Sequence, residues 1–359
     1  MVMYIGLAIA VIALLVLTFL NTSVFGADPN NDDLKHSKHF RDGVFHNQSP
    51  TVMMREGASY FKLIKDFINK PKNNTPKNPI EVIQTDLKNL PSNESCLVWF
   101  GHSSYLLCVE GKKILVDPVF HNASPIPFFG KPYDYTYQYQ VDDFPEIDIL
   151  LITHDHYDHL DEKAIKNLIP KTKHFVTSLG VDAHLKHWGI SAEKISALDW
   201  DETILINELQ ITAAPARHFS GRKFKRGNTL WSSFILKTTN QQIYLGGDSG
   251  YDTHFKKIGE KYGSFDLAIL ECGQYGEDWP HIHMTPEDMI IAATKLNTKK
   301  LIPVHWGKFS LALHPWTEPV ERALAAAENT EVEVFTPKIG ELLLFNQENN
   351  TQKWWNKYI

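Results

Sequence analysis

Between Thr153 and Asp161 the chain reads Thr-His-Asp-His-Tyr-Asp-His-Leu-Asp, so five of the six positions from 154 to 159 carry imidazole or carboxylate. These are the groups that borderline divalent ions such as zinc prefer. The stretch follows Ile147-Asp-Ile-Leu-Leu-Ile152, an apolar run of the kind that forms a buried strand. A strand that ends abruptly in such a loop puts the loop at the carboxyl edge of a sheet, where α/β proteins keep their chemistry. Three more metal-capable residues stand where strands should end: His218 after an apolar run closing at Ala216, Asp248 after Gly246-Gly247, and His305 after Leu301-Ile-Pro-Val304. Small neighbours (Ala216, Gly246, Gly247, Gly307) permit close approach. One at a time, each is an ordinary turn or cap residue. Together, downstream of the histidine loop, they point to a metal centre.

At this point the chain resembles the metallo-β-lactamase superfamily, and within it the N-acyl-phosphatidylethanolamine-hydrolysing phospholipase D group and its bacterial relatives. The resemblance rests on Gly101-His-Ser-Ser104, Val116-Asp-Pro-Val-Phe120, His154-Asp-His-Tyr-Asp-His-Leu-Asp161, Ala216-Arg-His-Phe219, Gly246-Gly-Asp-Ser-Gly-Tyr251, His283-Met-Thr-Pro-Glu287 and Val304-His-Trp-Gly307. It implies an α/β fold, a four-layer αββα sandwich, with two zinc ions at one edge, other divalent ions remaining open. His154, His156 and His218 would hold the first ion; Asp158, His159 and His305 the second; Asp248 would bridge. Asp158 and His283 are the implied catalytic residues, His283 facing the metals to stabilise the phosphate or protonate the leaving oxygen. On its own spacing His283 is a loop histidine ahead of the helix start Thr285-Pro286.

Asp155 is expected to point away from the ions and Asp161 to cap the helix that follows. Asp117 either ends its strand as an Asp-Pro turn or accepts a hydrogen bond from a ligand histidine. His102, His121 and His281 have weaker claims, and the remaining histidines, His314 included, default to the surface. The activity implied is cleavage of N-acyl-phosphatidylethanolamine to phosphatidic acid and an N-acylethanolamine. A metal-dependent hydrolase of a lactone, thioester or other small ester is the first alternative. A membrane-tethered metal-binding protein without turnover is the second.

The elements that must position these residues follow from periodicity and turn chemistry. Three short strands near 97–100, 105–109 and 113–116 read as an antiparallel meander. After the histidine loop the chain alternates: helices at 162–168, 181–188, 252–262, 286–296 and 318–327, and strands at 174–177, 203–206, 209–214, 230–238, 242–245, 267–270, 301–304, 331–335 and 341–345. Two sheets face to face with helices outside is the architecture this suggests. Four regions are expected: a hydrophobic segment at 1–27, a lead-in at 28–92 that wraps the core, with one helix near 58–67, a hydrolase domain at 93–346 and a tail at 347–359.

With 43% apolar residues among 359, the chain can bury a large core. A net charge of −6 gives no support for a nucleic-acid partner. Cys96, Cys108 and Cys272 form no metal or disulfide pattern; Cys96 and Cys108 lie on neighbouring strands and read as free buried thiols. Residues 4–20 are uncharged and apolar, long enough to cross a bilayer at the short end of the range. They read as an uncleaved membrane anchor, with a signal peptide cut after Ala27 as the alternative. Lys35, Lys38 and Arg41 lean toward a cytoplasmic body. The expected partners are the membrane and a phospholipid or other small ester. Oligomeric state is left open.

Overall fold

The computed structural model describes residues 2–348 and 352–359. In chain order the main strands are β1 (Cys96–Trp99), β2 (Tyr105–Val109), β3 (Lys112–Val116), β4 (Ile147–Ile152), β5 (Thr172–Ser178), β6 (Ile195–Leu198) and β7 (Thr203–Ile206). They continue with β8 (Leu209–Pro215), β9 (Ser232–Lys237), β10 (Gln242–Leu245), β11 (Leu267–Glu271), β12 (Lys300–Val304), β13 (Glu333–Val334) and β14 (Leu342–Leu344). One sheet has the order β14-β1-β2-β3-β4-β5-β6 and the other β13-β12-β11-β10-β9-β8-β7. Helices Glu162–Leu168 and Asp182–His187 connect parallel strands of the first sheet; helices His254–Tyr262, Pro286–Lys295 and Glu318–Ala327 serve the second. This is the four-layer αββα sandwich.

Local chemistry explains the meander. Glu110 and Gly111 both take positive φ (48° and 75°), the backbone of a two-residue hairpin turn between β2 and β3. From β3 to β6 the strands pair in parallel, which requires helical crossovers and buries both faces. That is why Ile147–Ile152 is almost continuously apolar rather than alternating. Asp161 caps the first crossover helix by accepting from Lys163 N and Ala164 N. Thr285 caps Pro286–Lys295, with proline at its start. Cys96 and Cys108 are direct cross-strand partners and free thiols.

Some expected bounds shift. The strand expected at 230–238 is Ser232–Lys237, because Leu230 and Trp231 turn inward to a second apolar cluster with Leu34, Phe45, Leu179 and Trp200. The helix expected at 58–67 is Tyr60–Ile68. Strand β6, missed in the sequence, is a four-residue edge strand with three half-buried residues before the buried Leu198 and little periodic signal. In the tail, Trp354 and Trp355 pack in the main core against Trp306, and Ile80, Val82 and Leu87 of the lead-in join the same core. Strands β8, β10, β11 and β12 run in one direction, so the residues after them gather at a single edge. The loops after β3 and β4 meet them there.

Candidate metal centre

At that edge the structure brings together all seven residues expected as ligands, in two groups with Asp248 between them. The first is His154, His156 and His218: His156 Nδ1 lies 3.0 Å from His154 Nε2 and 3.1 Å from His218 Nε2. Burial holds all three below the ordinary imidazole range, so neutral lone pairs face one another. The second contains Asp158, His159 and His305; Asp158 Oδ2 is 3.8 Å from His159 Nε2 and 3.5 Å from His305 Nε2. Asp248 reaches both. Its Oδ2 lies 3.8 Å from His154 Nε2, 3.7 Å from His218 Nε2 and 3.2 Å from His305 Nε2, and its Oδ1 3.1 Å from His159 Nε2.

In four of the five rings the outward nitrogen is tied down. His218 Nδ1 donates to Ile282 O (2.8 Å), and His159 Nδ1 bonds Asp117 Oδ2 (2.7 Å). His305 Nδ1 faces Gly273 O and Glu271 Oε2, each at 3.2 Å, and His154 Nδ1 faces Thr153 Oγ1 at 3.1 Å. Such partners fix the tautomer and turn the other nitrogen's lone pair inward, as in metal sites generally. The inward atoms are left without hydrogen bonds: His159 Nε2, His305 Nε2 and Asp248 Oδ1 are buried and unsatisfied, although within 3.2 Å of charged neighbours, because their directions do not align. Buried polar atoms this concentrated are costly unless something cationic completes them. Although burial disfavours their charged forms, the carboxylates raise His159 to about 10 and His305 well above its usual range. Concentrated negative charge, imidazole and carboxylate donors, and orphaned inward atoms fit divalent metal: the cluster is suited to binding metal ions.

Asp117 does more than end its strand. It sits in the left-handed region (φ 41°), 1% exposed, with Oδ1 accepting from Thr153 N (2.8 Å) and Oδ2 from Thr153 Oγ1 (2.6 Å) as well as from His159. Asp155 turns away from the cluster to accept from Gly221 N (2.7 Å) and Thr229 Oγ1 (2.9 Å). His283 stands over the cluster, its ring stacked on His305 at 5.1 Å and its Nδ1 2.7 Å from Glu271 Oε2. Its side chain keeps 12% exposure, so the opposite ring edge faces outward.

Three residues emerge that the sequence reading passed over. Glu271, fully buried, is the last residue of β11 and contacts both His283 and His305 while accepting from Ser249 N (2.8 Å). A carboxylate ending the apolar run Leu267-Ala-Ile-Leu270 was the signal that could have found it. His102, set aside as a weak candidate, places Nε2 3.0 Å from Asp158 Oδ2, is completely buried, and has a positive φ of 52°. His184, assigned to the surface by default, is buried against Asp155 at 3.2 Å. His121 bonds Asp161 (2.7 Å) rather than the cluster, and His281 accepts from Val52 N (3.2 Å). His314, also a surface default, is half-buried and accepts from Gln274 N (2.9 Å).

Beside the cluster, a hollow of about 440 Å³ is walled by His46, Asn47, Pro50, Phe219, Arg226 and Trp231. Phe219 separates it from the metal residues, with ring centres 4.5 Å from His156 and 4.9 Å from His218. Asn47 of the lead-in clamps His218 through both backbone groups.

Comparison with known proteins agrees with this geometry. Residues 112–306 match a family model described as a beta-lactamase superfamily domain. An uncharacterised protein of Mycobacterium tuberculosis is 38% identical over 327 residues, 89% of this chain and 88% of its own. The N-acyl-phosphatidylethanolamine-hydrolyzing phospholipase D 1 of Caenorhabditis elegans is 35% identical over 228 residues, covering 59% of this chain and 64% of the worm protein. Among solved structures, a metallo hydrolase from the archaeon Ignicoccus hospitalis aligns with a TM-score of 0.55 at 22% identity, over 71% of this chain and 100% of the archaeal one, a likeness of fold.

Proposed function

The chain belongs to the beta-lactamase superfamily, and on that premise we propose that it is a metal-dependent hydrolase whose two-zinc centre cleaves the phosphodiester of an N-acylated phosphatidylethanolamine. The products are phosphatidic acid and an N-acylethanolamine. The observation that carries the reading is the split of the donors into two groups that share Asp248. His154, His156 and His218 would hold one ion and Asp158, His159 and His305 the other. Bound there, the ions supply positive charge against the phosphoryl oxygens and acidify a water toward neutrality.

The chain's own residues do the rest. Asp117 and Glu271 hold His159 and His305 in the tautomers that face the centre. Glu271 also fixes His283 through Nδ1. That leaves Nε2 of His283 as the atom that passes a proton to the departing ethanolamide oxygen, with the carboxylate behind it fixing the ring's orientation. His102 steadies Asp158 from the far side.

The phospholipid assignment draws on the worm enzyme's 35% identity and on the apolar helix Val2–Leu20, which suits a substrate that stays in the bilayer. At about 1.5 Å per residue this helix is ~28 Å long, close to the hydrocarbon thickness. In this reading it anchors the protein. The test is incubation of purified protein with N-acyl-phosphatidylethanolamine labelled in the ethanolamide, with zinc and with chelator. Zinc-dependent release of labelled N-acylethanolamine is expected. Turnover of a lactone or thioester with none of the lipid would move the assignment to a small-ester hydrolase. Tight zinc binding with no turnover of any of them would leave a metal-binding protein.

A further inference from the structure

We propose that the metal-bearing edge faces the bilayer, with the tip Lys223-Phe224-Lys225-Arg226 seated in the headgroup layer of an anionic leaflet. The proposal rests on the N-terminal helix being a membrane anchor and is independent of which bond the centre cleaves.

From Met3 to Phe19 the helix is exposed on every side, and only its end touches the body, where the Phe19 ring meets Phe25. Immediately after it the chain is built into the globular body. Trp188 Nε1 donates to Ser23 O (2.8 Å), Phe25 is 5% exposed with its ring edge-on to Tyr157, and Ala27 N donates to His184 Nδ1 (3.1 Å). At Gly26 (φ 64°) a Cβ would collide with the His184 ring, so the segment is closely fitted. A cut after Ala27 would discard these contacts, which favours an anchor over a signal peptide.

One side chain ties this joint to both the metal loop and the tip. Arg222, 4% exposed, donates through Nη2 (2.7 Å) and Nε (3.2 Å) to Val24 O, and through Nη1 to Asp155 O and Leu160 O, both at 2.8 Å. Its guanidinium also lies over the Tyr157 ring at 4.1 Å. Val24 is four residues from the helix end at Leu20, a reach of at most about 14 Å, and Phe224 is two residues from Arg222, about 7 Å. The helix end, the tip and the His154–His159 loop are therefore tied together through Arg222.

The composition of the tip fits that place. Phe224 is 85% exposed, and Lys223, Lys225 and Arg226 around it are exposed without an ion-pair partner among the described residues. An aromatic flanked by unpaired cations suits the interface of an anionic membrane, where each cation near the surface contributes attraction that decays within a Debye length. The loop after β3, on the same edge, adds Phe128 (82% exposed) and Phe129 (64%). A bare aromatic on a soluble face gains nothing; beside an anchored helix it gains burial in the headgroup region.

The test uses the full chain in phospholipid vesicles. The three native cysteines are buried, so a nitroxide attached to Phe224→Cys, Phe128→Cys or Asn240→Cys reports one position. Asn240 is exposed in the turn before β10, on the edge opposite Asp248. In vesicles containing phosphatidylglycerol, labels at 224 and 128 should be relaxed by oxygen more than by a water-soluble nickel chelate, and the label at 240 the reverse. Labels at 224 and 128 as nickel-accessible as that at 240 would overturn the proposal. Equal immersion in neutral phosphatidylcholine vesicles, or no loss of immersion when Lys223, Lys225 and Arg226 are all changed to Glu, would overturn its electrostatic part. A protein that cleaves no phospholipid still gives a decisive accessibility pattern, so the failure of the substrate reading and the failure of this one are separable.

Discussion

Asp117→Asn changes no volume and removes one acceptor atom from a site that uses two. Three donors converge on the native carboxylate: Thr153 N on Oδ1, and Thr153 Oγ1 and His159 Nδ1 on Oδ2. An amide offers one oxygen, and its NH₂ group must then face at least one of these donors. With Asp117 1% exposed, water cannot take the missing role. A buried donor without an acceptor costs about 1–3 kcal/mol. The second effect falls on the metal. The Asp117–His159 bond presents His159 Nε2 to the cluster, and loss of such a partner lowers metal affinity roughly 10–100-fold, about 1.4–2.7 kcal/mol. The assay is zinc competition against a chromophoric chelator together with thermal unfolding of metal-free and zinc-loaded protein. The variant should bind zinc at least tenfold more weakly, unfold a few degrees lower without metal, and gain less from zinc than the parent. Thr153→Val removes the hydroxyl that faces both Asp117 and His154 Nδ1 but spares the His159 bond, so any fall in its zinc affinity reports on His154 rather than on His159. An Asp117→Asn variant with zinc affinity within twofold of the parent would refute the claim that the carboxylate orients His159.

Glu271→Gln should lower kcat by about tenfold or more with little change in KM, because Gln presents one acceptor oxygen where Ser249 N, His283 and His305 use two, and His283 loses its fixed orientation; an unchanged kcat would remove His283–Glu271 from the reaction. Gly250→Ala places a Cβ 1.9 Å from His281 O, so the loop carrying Asp248 and that carrying His283 must separate. Overpacking of this kind costs about 1–3 kcal/mol, visible as a lower urea midpoint with reduced turnover. Burial pushes the Lys308 ammonium down to about 7. The unfolded chain, titrating near ~10.4, therefore binds more protons across the window above 7, and stability should rise with pH from about 7 toward 10. In Lys308→Met the rise of the urea midpoint between pH 7 and 9 should be smaller; an identical slope would show that this lysine does not contribute it.

Much of this molecule is legible in short stretches of chain, and the reason is local. A strand's apolar run and the polar residue that ends it are adjacent in sequence, so His154, His218, Asp248 and His305 each announce themselves beside the run that positions them. The hairpin at Glu110-Gly111, the Asp161 cap and the Thr285-Pro286 helix start are likewise set by neighbouring residues. What only the tertiary structure decided depends on which strand ends meet. His102 touches Asp158 because the loop after β1 is bound backbone to backbone to His305 and Trp306. Glu271 looks like an isolated charge in an apolar strand until β11 settles between β10 and β12 and brings His283 and His305 to it. Arg222 and His184 are unremarkable in sequence; they join the segment after the N-terminal helix to the metal loop through partners 29 to 198 positions away. Sequence alone determined that there would be a metal-binding edge, since ligand type and strand ending are local properties. Which outer residues touch the clustered side chains is a property of long-range pairing, and this the fold decided.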